Sequence, residues 1–436
     1  MRGAMEKPRL SQFKQAMMSL YWFGTNMHWT AILITTLPRQ ALIIGGDSVK
    51  GQTLGNVLLA GAFVSMLVAP IFGAISDRTI TRFGRRRPWI VLGTLMNVIG
   101  LLGLIYFPRP NDMSSLPLYI AAFMWVEFWN NVATAPFSAL IPDVVPANQR
   151  GSASGWYGLM TMLGNFVGGM TGLIFTHNGV TDINAIYYFT GAIMLLGMLG
   201  TVIFVKEPEV TVKLPPFKLG EFIKGLVTPF SNRDFTWVFW TRFLMEMGTF
   251  TVQEFLQYYM GDVIKKFTLF GTQLAENAES AVSFFILALL VGAIVSTLAA
   301  GVLSDRFGRK IMVYLSSGLQ AFTPLVLVFF GTFPLTIFLG IIFGLGYGAY
   351  TSVDWALASD VLPSDVDYAK DMGVWHIAMT MPQVISTPIA GFLLDNFQNV
   401  GKSNGMPILG YQVIFVLAAL YFIFGTVLVR NIKKVR

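Results

Sequence analysis

The amino-acid sequence predicts an all-α membrane protein with twelve transmembrane helices in two pseudo-symmetric six-helix bundles. Three observations support this prediction: the composition, the spacing of apolar segments, and a charged motif that occurs once in each half. Of the 436 residues, 54% are hydrophobic and only 12% are charged, whereas soluble domains average about 25% charged residues. A chain with so few charges is expected in a lipid bilayer rather than in water.

The apolar residues occur in blocks of about twenty, the length needed to cross the hydrocarbon core. The blocks lie near residues 17–44, 52–75, 88–107, 115–142, 152–176, 183–205, 235–262, 280–303, 311–331, 334–361, 370–394 and 408–429. Most of the 30 Lys and Arg residues fall in alternate loops and at both ends, and this bias predicts that both termini are cytoplasmic. No short apolar region with a cleavage site precedes the first block, so we expect no removable signal peptide.

A charged motif marks the two halves. The segment GAISDRTITRFGRRRP begins at Gly73, after the second block, and GVLSDRFGRK begins at Gly301, after the eighth. Between the halves lies a segment rich in proline and basic residues, as linkers often are. We therefore predict an N-terminal six-helix bundle at 1–205, a cytoplasmic linker at 206–234 and a C-terminal six-helix bundle at 235–436.

The motif also carries a resemblance to a known family. The second copy fits the G-x-x-x-D-R-x-G-R-K loop of the major facilitator superfamily, and the first fits it with four extra residues after Asp77. The longer copy, SDRTITRFGRRRPWI, resembles the loop of the plant sucrose/proton symporters and their bacterial relatives in the glycoside transporter branch. So do VEFWNNVATAPFSALIPDVVPANQRG at 126–151 and DMGVWHIAMTMPQVISTPIAG at 371–391.

The resemblance implies the facilitator fold and proton-coupled uptake of a disaccharide or glycoside, such as sucrose or maltose, by alternating access. We further expect a monomer in the plasma membrane, whose partners are the bilayer, a small-molecule sugar and protons. Block 52–75 contains no acid, unlike the second helix of the melibiose-type sodium symporters, so protons are favoured over sodium. Two alternatives stay open: a sodium-coupled glycoside symporter, and a proton antiporter that exports a small amphiphilic compound.

An enzyme is not expected. The sequence has no cysteine, only three histidines, and no nucleotide-binding loop, so we expect neither a cofactor nor a metal site. The net charge of +7 lies in short loops between apolar blocks, and we therefore expect no nucleic-acid partner.

The charged loops place an Asp at one helix end and Arg residues at the start of the next. Ion pairs there could latch the cytoplasmic side in one conformation. The candidate latch residues are Asp77, Arg78, Arg85, Arg86, Asp305, Arg306 and Arg309. If such pairs act through charge, Arg86→Lys is tolerated better than Asp77→Asn. The alternative is that the basic residues only orient the chain in the membrane.

Ionisable residues inside apolar spans are costly and often mark functional sites. Glu127 lies near the middle of the fourth block, and helical spacing places Asn130 and Asn131 on its face. A carboxyl that is alternately buried and hydrated can load and release a proton, so Glu127 is a candidate for proton coupling. In the plant symporters the matching position holds an aspartate. The alternative is an acid that stays neutral and serves helix packing.

The seventh block holds two further candidates for proton coupling. Arg242 and Glu246 lie one helical turn apart, and protonation of the acid would release the arginine. Alternatively, the pair neutralises itself and never touches a substrate. Glu254 lies nearer the outer end of this block and is expected to meet water.

A sugar requires hydrogen-bond partners for its hydroxyls and aromatic rings for its C–H faces. The polar and aromatic residues that we assign to substrate binding are Asn26, His28, Trp129, Asn130, Asn131, Gln253, Tyr350, Asp354, His376 and Gln383. Gly292 and Ser296, four residues apart in the eighth block, indicate close helix packing instead.

Overall fold

The computed structural model describes residues 9–146, 149–207, 220, 227–361 and 368–433. Its α-helices are α1 (Gln12–Ala31), α2 (Leu37–Arg78), α3 (Arg87–Tyr106), α4 (Leu116–Ser138), α5 (Leu140–Val144), α6 (Arg150–Gly169), α7 (Thr171–Ile174), α8 (Ile183–Phe204), α9 (Arg233–Gln253), α10 (Leu256–Tyr259), α11 (Ala278–Phe307), α12 (Arg309–Leu327), α13 (Phe333–Val361), α14 (Tyr368–Ser403) and α15 (Leu409–Val429). The predicted all-α class is confirmed.

Short elements join the helices. Single turns of π-helix occur at Ile32–Thr36 and Met260–Ile264, and 3₁₀ turns at Met113–Ser115 and Thr228–Ser231. Two antiparallel hairpins have strands of two residues each: β1 (Thr176–His177) with β2 (Val180–Thr181), and β3 (Thr268–Leu269) with β4 (Thr272–Gln273). In the first hairpin Thr176 is opposite Thr181, and in the second Thr268 is opposite Gln273.

Several helices begin at residues that satisfy their free backbone N–H groups. Asp182 caps α8 by accepting from the N–H of Ala185, and Asn232 caps α9 by accepting from the N–H groups of Asp234 and Phe235. Asn277 and Ser280 form a reciprocal capping box at the start of α11. These caps fix where the polar loops end and the apolar helices begin.

Eight helical segments among the described residues are long and apolar enough to cross a membrane. The first, Gln12–Arg78, has 67 residues and leaves helical geometry at Gly46, where φ is 65°, a value that glycine adopts readily. Three further helices of 20 to 23 residues carry more polar side chains, namely α4, α6 and α9. This set is consistent with the twelve predicted crossings.

The outward faces of these helices are apolar. Ile99 is 52% exposed, Leu315 is 59% exposed and Phe424 is 56% exposed, each within a long helix. In water such faces would promote aggregation. In a bilayer they meet lipid, as expected for an integral membrane protein.

The chain divides into two compact units. Unit 1 comprises Met1–Ile44, Ala60–Thr171 and Asp182–Phe217, and unit 2 comprises Gly45–Leu59, Gly172–Thr181 and Lys218–Arg436. Most of the predicted linker at 206–234 lies outside the described residues. In unit 1, aromatic rings from α1, α4 and α6 pack together: Phe137 stacks on Tyr157 at 5.2 Å and lies 5.7 Å from Trp22.

In unit 2 the helices α11 and α13 pack closely against each other. A Cβ atom added at Gly292 would lie 2.2 Å from the carbonyl oxygen of Ile341. The Thr297 hydroxyl donates to the carbonyl oxygen of Gly348 at 3.2 Å. The predicted packing role of Gly292 is therefore confirmed.

We expect Gly292→Ala to destabilise unit 2 by about 1–3 kcal/mol, because two helix backbones must separate to admit the methyl group. Gly318→Ala is the matched control: it lies within α12, and no described atom is within 4 Å of its added Cβ. Thermal unfolding of the purified protein in detergent checks both. Equal melting temperatures for the two variants would contradict the packing argument.

Candidate functional site

The first charged loop forms a buried ion-pair cluster in unit 1. Arg86 is 3% exposed; its Nε donates to Asp143 Oδ2 at 2.8 Å, and its two Nη atoms donate to Ser76 and to Asp77. Arg85 donates to the same Asp143 carboxylate, through Nε at 3.1 Å and through Nη2. Each of the three nitrogens of the planar Arg86 guanidinium thus donates to a different side chain.

A second acid, Glu207, is bound by the backbone of this loop. Its carboxylate accepts the N–H groups of Arg85 at 2.8 Å, Arg86 at 2.9 Å and Arg87 at 2.8 Å. These N–H groups lie at the start of α3, where the helix dipole also favours a negative charge. Glu207 therefore ties the end of α8 to the beginning of α3.

The other candidate latch residues are placed differently. Arg78 donates to the carbonyl oxygen of Ala74 in its own helix at 2.8 Å. In the second loop, Arg306 is exposed and Arg309 is half-buried, while the side chain of Asp305 lies outside the described part of the chain. Asp143 and Glu207 were not predicted from the sequence, although Asp143 directly follows the fourth predicted span and Glu207 lies two residues after the end of the sixth.

Glu127 contacts Asn131, one of the two asparagines that helical spacing placed on its face. The Asn131 Nδ2 donates to Glu127 Oε2 at 3.2 Å, and Asn131 Oδ1 accepts from the Ser65 hydroxyl of α2 at 3.1 Å. A Cβ added at Gly61, one turn before Ser65, would lie 2.2 Å from Phe123 Cε1 and 2.9 Å from Glu127 Cγ, so glycine makes room for the aromatic ring and for the acid. Asn130 is 5% exposed, and its Oδ1 has no hydrogen-bond partner among the described residues.

The remaining unit 1 candidates do not all join this group. Asn26 donates to the carbonyl oxygen of Trp22 at 2.7 Å, within its own helix. His28 is fully buried beside the ring of Trp29, and neither ring nitrogen has a hydrogen-bond partner within the described ranges. Trp129 is half-buried, with its ring 5.7 Å from that of Trp125.

Arg242 forms the central ion pair of unit 2. Its Nη1 contacts Asp354 Oδ2, and its guanidinium lies 3.6 Å from the ring centre of Trp375. The Tyr350 hydroxyl donates to the other oxygen of Asp354 at 3.3 Å. Arg242 is 4% exposed and Asp354 is 2% exposed, so the pair is desolvated and connects α9, α13 and α14.

This pairing differs from the one expected. Glu246 is buried, but it forms no ion pair with a residue that the structure describes. Glu246 lies near Arg242 because the two are one helical turn apart. The ion pair nevertheless forms with Asp354 of a neighbouring helix. Closeness along one helix therefore does not determine the partner of Arg242.

A polar contact links the end of α9 to the middle of α14. The Gln383 Nε2 donates to Glu254 Oε1 at 3.2 Å. Glu254 is 3% exposed, so the expectation that it meets water is wrong; it follows α9 directly and is covered by neighbouring helices. Gln253 is half-buried, and the side chain of His376 is outside the described residues.

A further set of acidic and basic residues in unit 2 was not predicted from the sequence. Lys50 Nζ lies 2.5 Å from Asp262 Oδ2, and the Tyr411 hydroxyl donates to the same carboxylate. Asp395 accepts the backbone N–H groups of Gly51 at 3.0 Å and Gln52 at 2.6 Å. None of these contacts was predicted. Lys50 lies between two predicted spans, and Asp395 lies just beyond the span expected to end at residue 394, whereas α14 continues to Ser403.

Comparison with known proteins identifies the family. A family model described as MFS/sugar transport protein matches residues 48–430. The chain belongs to this family. This MFS protein is therefore a membrane transporter and not an enzyme, and the predicted resemblance to the major facilitator superfamily is confirmed.

Curated relatives of this MFS protein include sugar transporters and an efflux pump. The General alpha-glucoside permease of Schizosaccharomyces pombe is 26% identical over 189 residues, which are 40% of this chain and 34% of the permease. The Sucrose transport protein SUC4 of Arabidopsis thaliana is 30% identical over 138 residues, 28% of this chain and 26% of that protein. The chain thus spans about a third or less of the length of these two relatives. The multi-drug resistance efflux pump PmrA of Streptococcus pneumoniae is 23% identical over 356 residues, 78% of this chain and 80% of the pump.

Solved transporter structures share the fold. A bacterial homolog of the human lysosomal transporter Spinster superposes with a TM-score of 0.74 at 12% identity, covering 96% of this chain and 97% of that one. The nucleoside transporter NupG superposes with a TM-score of 0.68 at 13% identity, covering 96% and 98%. At such identities the likeness shows the MFS fold alone.

We expect Arg86→Lys to destabilise the protein by about 3 kcal/mol. A lysine ammonium keeps the charge, but it cannot replace three nitrogens that serve Ser76, Asp77 and Asp143. Conservation of charge alone predicts, in contrast, that Arg86→Lys is tolerated. Arg82→Lys, an exposed arginine of the same loop, is the control, and thermal unfolding is the measurement. If both lysine variants melt together, the fork geometry is unimportant.

We expect Asp354→Asn to cost about 3–5 kcal/mol, because it leaves the buried Arg242 charge without its partner. Arg242→Met combined with Asp354→Asn should cost less than the sum of the single changes, and Glu246→Gln should cost less than Asp354→Asn. Denaturation in detergent measures this double-mutant cycle. Strict additivity would show that the two side chains do not interact.

Proposed function

We propose that this transporter takes up a disaccharide or glycoside, such as sucrose or maltose, by proton-coupled symport through alternating access. One observation carries the proposal: Glu127 lies inside an apolar helix bundle and is hydrogen-bonded to the neutral amide of Asn131. The family description and the names of the yeast permease and the plant sucrose transporter support a glycoside substrate. Both named classes of sugar contain glucose in α-linkage.

Proton coupling is assigned to Glu127, with Glu246 and Arg242 as the second choice. A charged carboxylate is costly among apolar helices when it has one neutral hydrogen-bond donor. Proton uptake removes that charge before the site is enclosed, and hydration on the other side permits release. Protonation and deprotonation of this one carboxyl thus couple the proton gradient to sugar accumulation.

Substrate binding is assigned to the polar and aromatic groups inside the helices. The residues assigned to binding are Asn26, His28, Trp129, Asn130, Asn131, Gln253, Tyr350, Asp354, His376 and Gln383. The Oδ1 of Asn130 and the ring nitrogens of His28 have no hydrogen-bond partner among the described residues, which supports this assignment, because each can bond to a sugar hydroxyl.

The membrane topology is part of the proposal. Both termini and the linker 206–234 are placed in the cytoplasm, on the side where the Asp77–Arg86 and Arg85–Asp143 ion pairs form a conformational latch. The two six-helix bundles at 1–205 and 235–436 would act as a monomer in the plasma membrane. The distribution of Lys and Arg supports this orientation.

A second candidate is export of a small amphiphilic compound by proton antiport. The efflux pump PmrA favours it, since that match extends over 78% of this chain. Sodium-coupled glycoside symport is a further candidate; the apolar character of block 52–75 favours protons over sodium.

We expect purified protein in proteoliposomes to accumulate labelled sucrose or maltose when the outside is acidic, and not when only a sodium gradient is imposed. Glu127→Gln should abolish accumulation while leaving downhill exchange, because exchange needs no net proton movement. Glu127→Asp should keep partial coupling. The matched control is Asp112→Asn, an acid in an extramembrane turn that caps Met113–Ser115. If the Gln variant still concentrates sugar, the proton is carried elsewhere; efflux of an amphiphile under the same gradient would favour the antiporter.

A further inference from the structure

Four buried oxygens of unit 2 have no role in the proposed coupling. They belong to Glu254 and Gln257 at the end of α9 and in α10, and to Ser386 and Thr387 in α14. These residues are 3%, 4%, 0% and 0% exposed. Glu254 Oε2, Gln257 Oε1, Ser386 Oγ and Thr387 Oγ1 each lack a hydrogen-bond partner among the described residues. Burying such groups unpaired is costly, so a ligand that pairs with them would recover that cost.

The backbone brings the four oxygens to neighbouring helix faces. The hydrogen bond from Gln383 to Glu254, at 3.2 Å, joins the two elements. The chain keeps right-handed helical geometry at Glu254, so Gln257 is on its face at i+3. Ser386 and Thr387 follow Gln383 at i+3 and i+4. On each element the unpaired oxygens therefore belong to the residue that makes the bond or to residues about one helical turn further along the chain.

The donor and acceptor inventory selects the class of ligand. A carboxylate oxygen and an amide oxygen only accept, whereas serine and threonine hydroxyls both donate and accept. An anion would be repelled by Glu254. An ammonium group could donate to all four oxygens, but it would leave the hydrogens of the two hydroxyls without an acceptor. A neutral polyol both donates and accepts, so it fits all four oxygens.

We propose that Glu254, Gln257, Ser386 and Thr387 form a polyol subsite that binds hydroxyl groups of the transported sugar and helps to select it. This proposal rests on the proposed function as a glycoside transporter. Gln383 positions Glu254 by holding its Oε1, which leaves Oε2 for the ligand. Because the subsite is enclosed in this conformation, the sugar reaches it only as the helices rearrange during the transport cycle.

A hard cation such as sodium also prefers oxygen ligands. The observed contact argues against it, since the N–H of Gln383 points at the Glu254 carboxylate and would oppose a nearby positive charge. The all-oxygen set nevertheless makes sodium the natural competing outcome, and the experiment separates the two.

The test measures equilibrium binding of methyl α-D-glucopyranoside and its monodeoxy derivatives to the full chain in detergent, in sodium chloride and in choline chloride. We expect Thr387→Val to weaken binding of the parent glucoside about 10-fold, and Glu254→Gln about 10-fold to 100-fold. For the derivative that lacks the contacted hydroxyl, each variant should bind as well as the wild type does. The control is Thr251→Val, which is equally buried in α9 but whose hydroxyl bonds to the carbonyl oxygen of Met247 at 2.8 Å.

The outcomes are distinguishable. If the wild type binds the glucoside and the variants match it for every derivative, the subsite is overturned and the proposed function stands. If Glu254→Gln instead removes a sodium dependence without changing discrimination among derivatives, the oxygens bind a cation and the subsite is likewise overturned. If the wild type binds neither this glucoside nor sucrose or maltose, the proposed function and the subsite both fail. Ser386→Ala replaces Thr387→Val should the latter not fold, as judged by thermal unfolding.

Discussion

Arg242 cannot be buried in unit 2 without a carboxylate beside it. Its charge is enclosed by α9, α13 and α14, and Asp354 and the ring of Trp375 compensate for the lost water. The same requirement explains the Lys50–Asp262 pair and the Arg86 cluster, in which each buried base has an acid within direct contact. Pairing of buried charge therefore fixes which turns of neighbouring helices lie side by side within each unit.

Small residues make these polar contacts possible. Polar side chains on different helices can meet only where the backbones approach, and Gly61 allows α2 to pack against the Cγ of Glu127 so that Ser65 reaches Asn131. In a bilayer, where apolar side chains have no solvent to avoid, close approach and hydrogen bonding supply much of the helix association. The hydrogen bonds among Ser65, Asn131 and Glu127 and the close approach at Gly61 are thus one structural feature rather than two.

Composition, span length and the repeated loop were sufficient to predict the fold class and the family, because both depend on properties that are local in sequence. The Glu127–Asn131 contact was predictable for the same reason, since i+4 neighbours lie on the same face of a helix. Partners on other helices were not. The sequence offers Arg242 both Glu246 and Asp354, and only packing of α9 against α13 decides between them. Asp143, Glu207 and the burial of Glu254 likewise depend on neighbours distant in the chain.

The buried acids differ in how completely their carboxylates are paired, and this difference indicates which of them can change partners during transport. Breaking the Arg242–Asp354 pair would leave two uncompensated charges in an apolar interior, so a transport cycle that separates them must supply a new partner for each. Glu127 is held by a neutral amide, and a water or hydroxyl can replace that bond at little cost. A group that must gain and lose a proton in every cycle is better placed at Glu127 than beside Arg242. By the same argument, Glu254, with one oxygen held by Gln383 and the other unpaired among the described residues, is suited to exchange partners rather than to hold helices together.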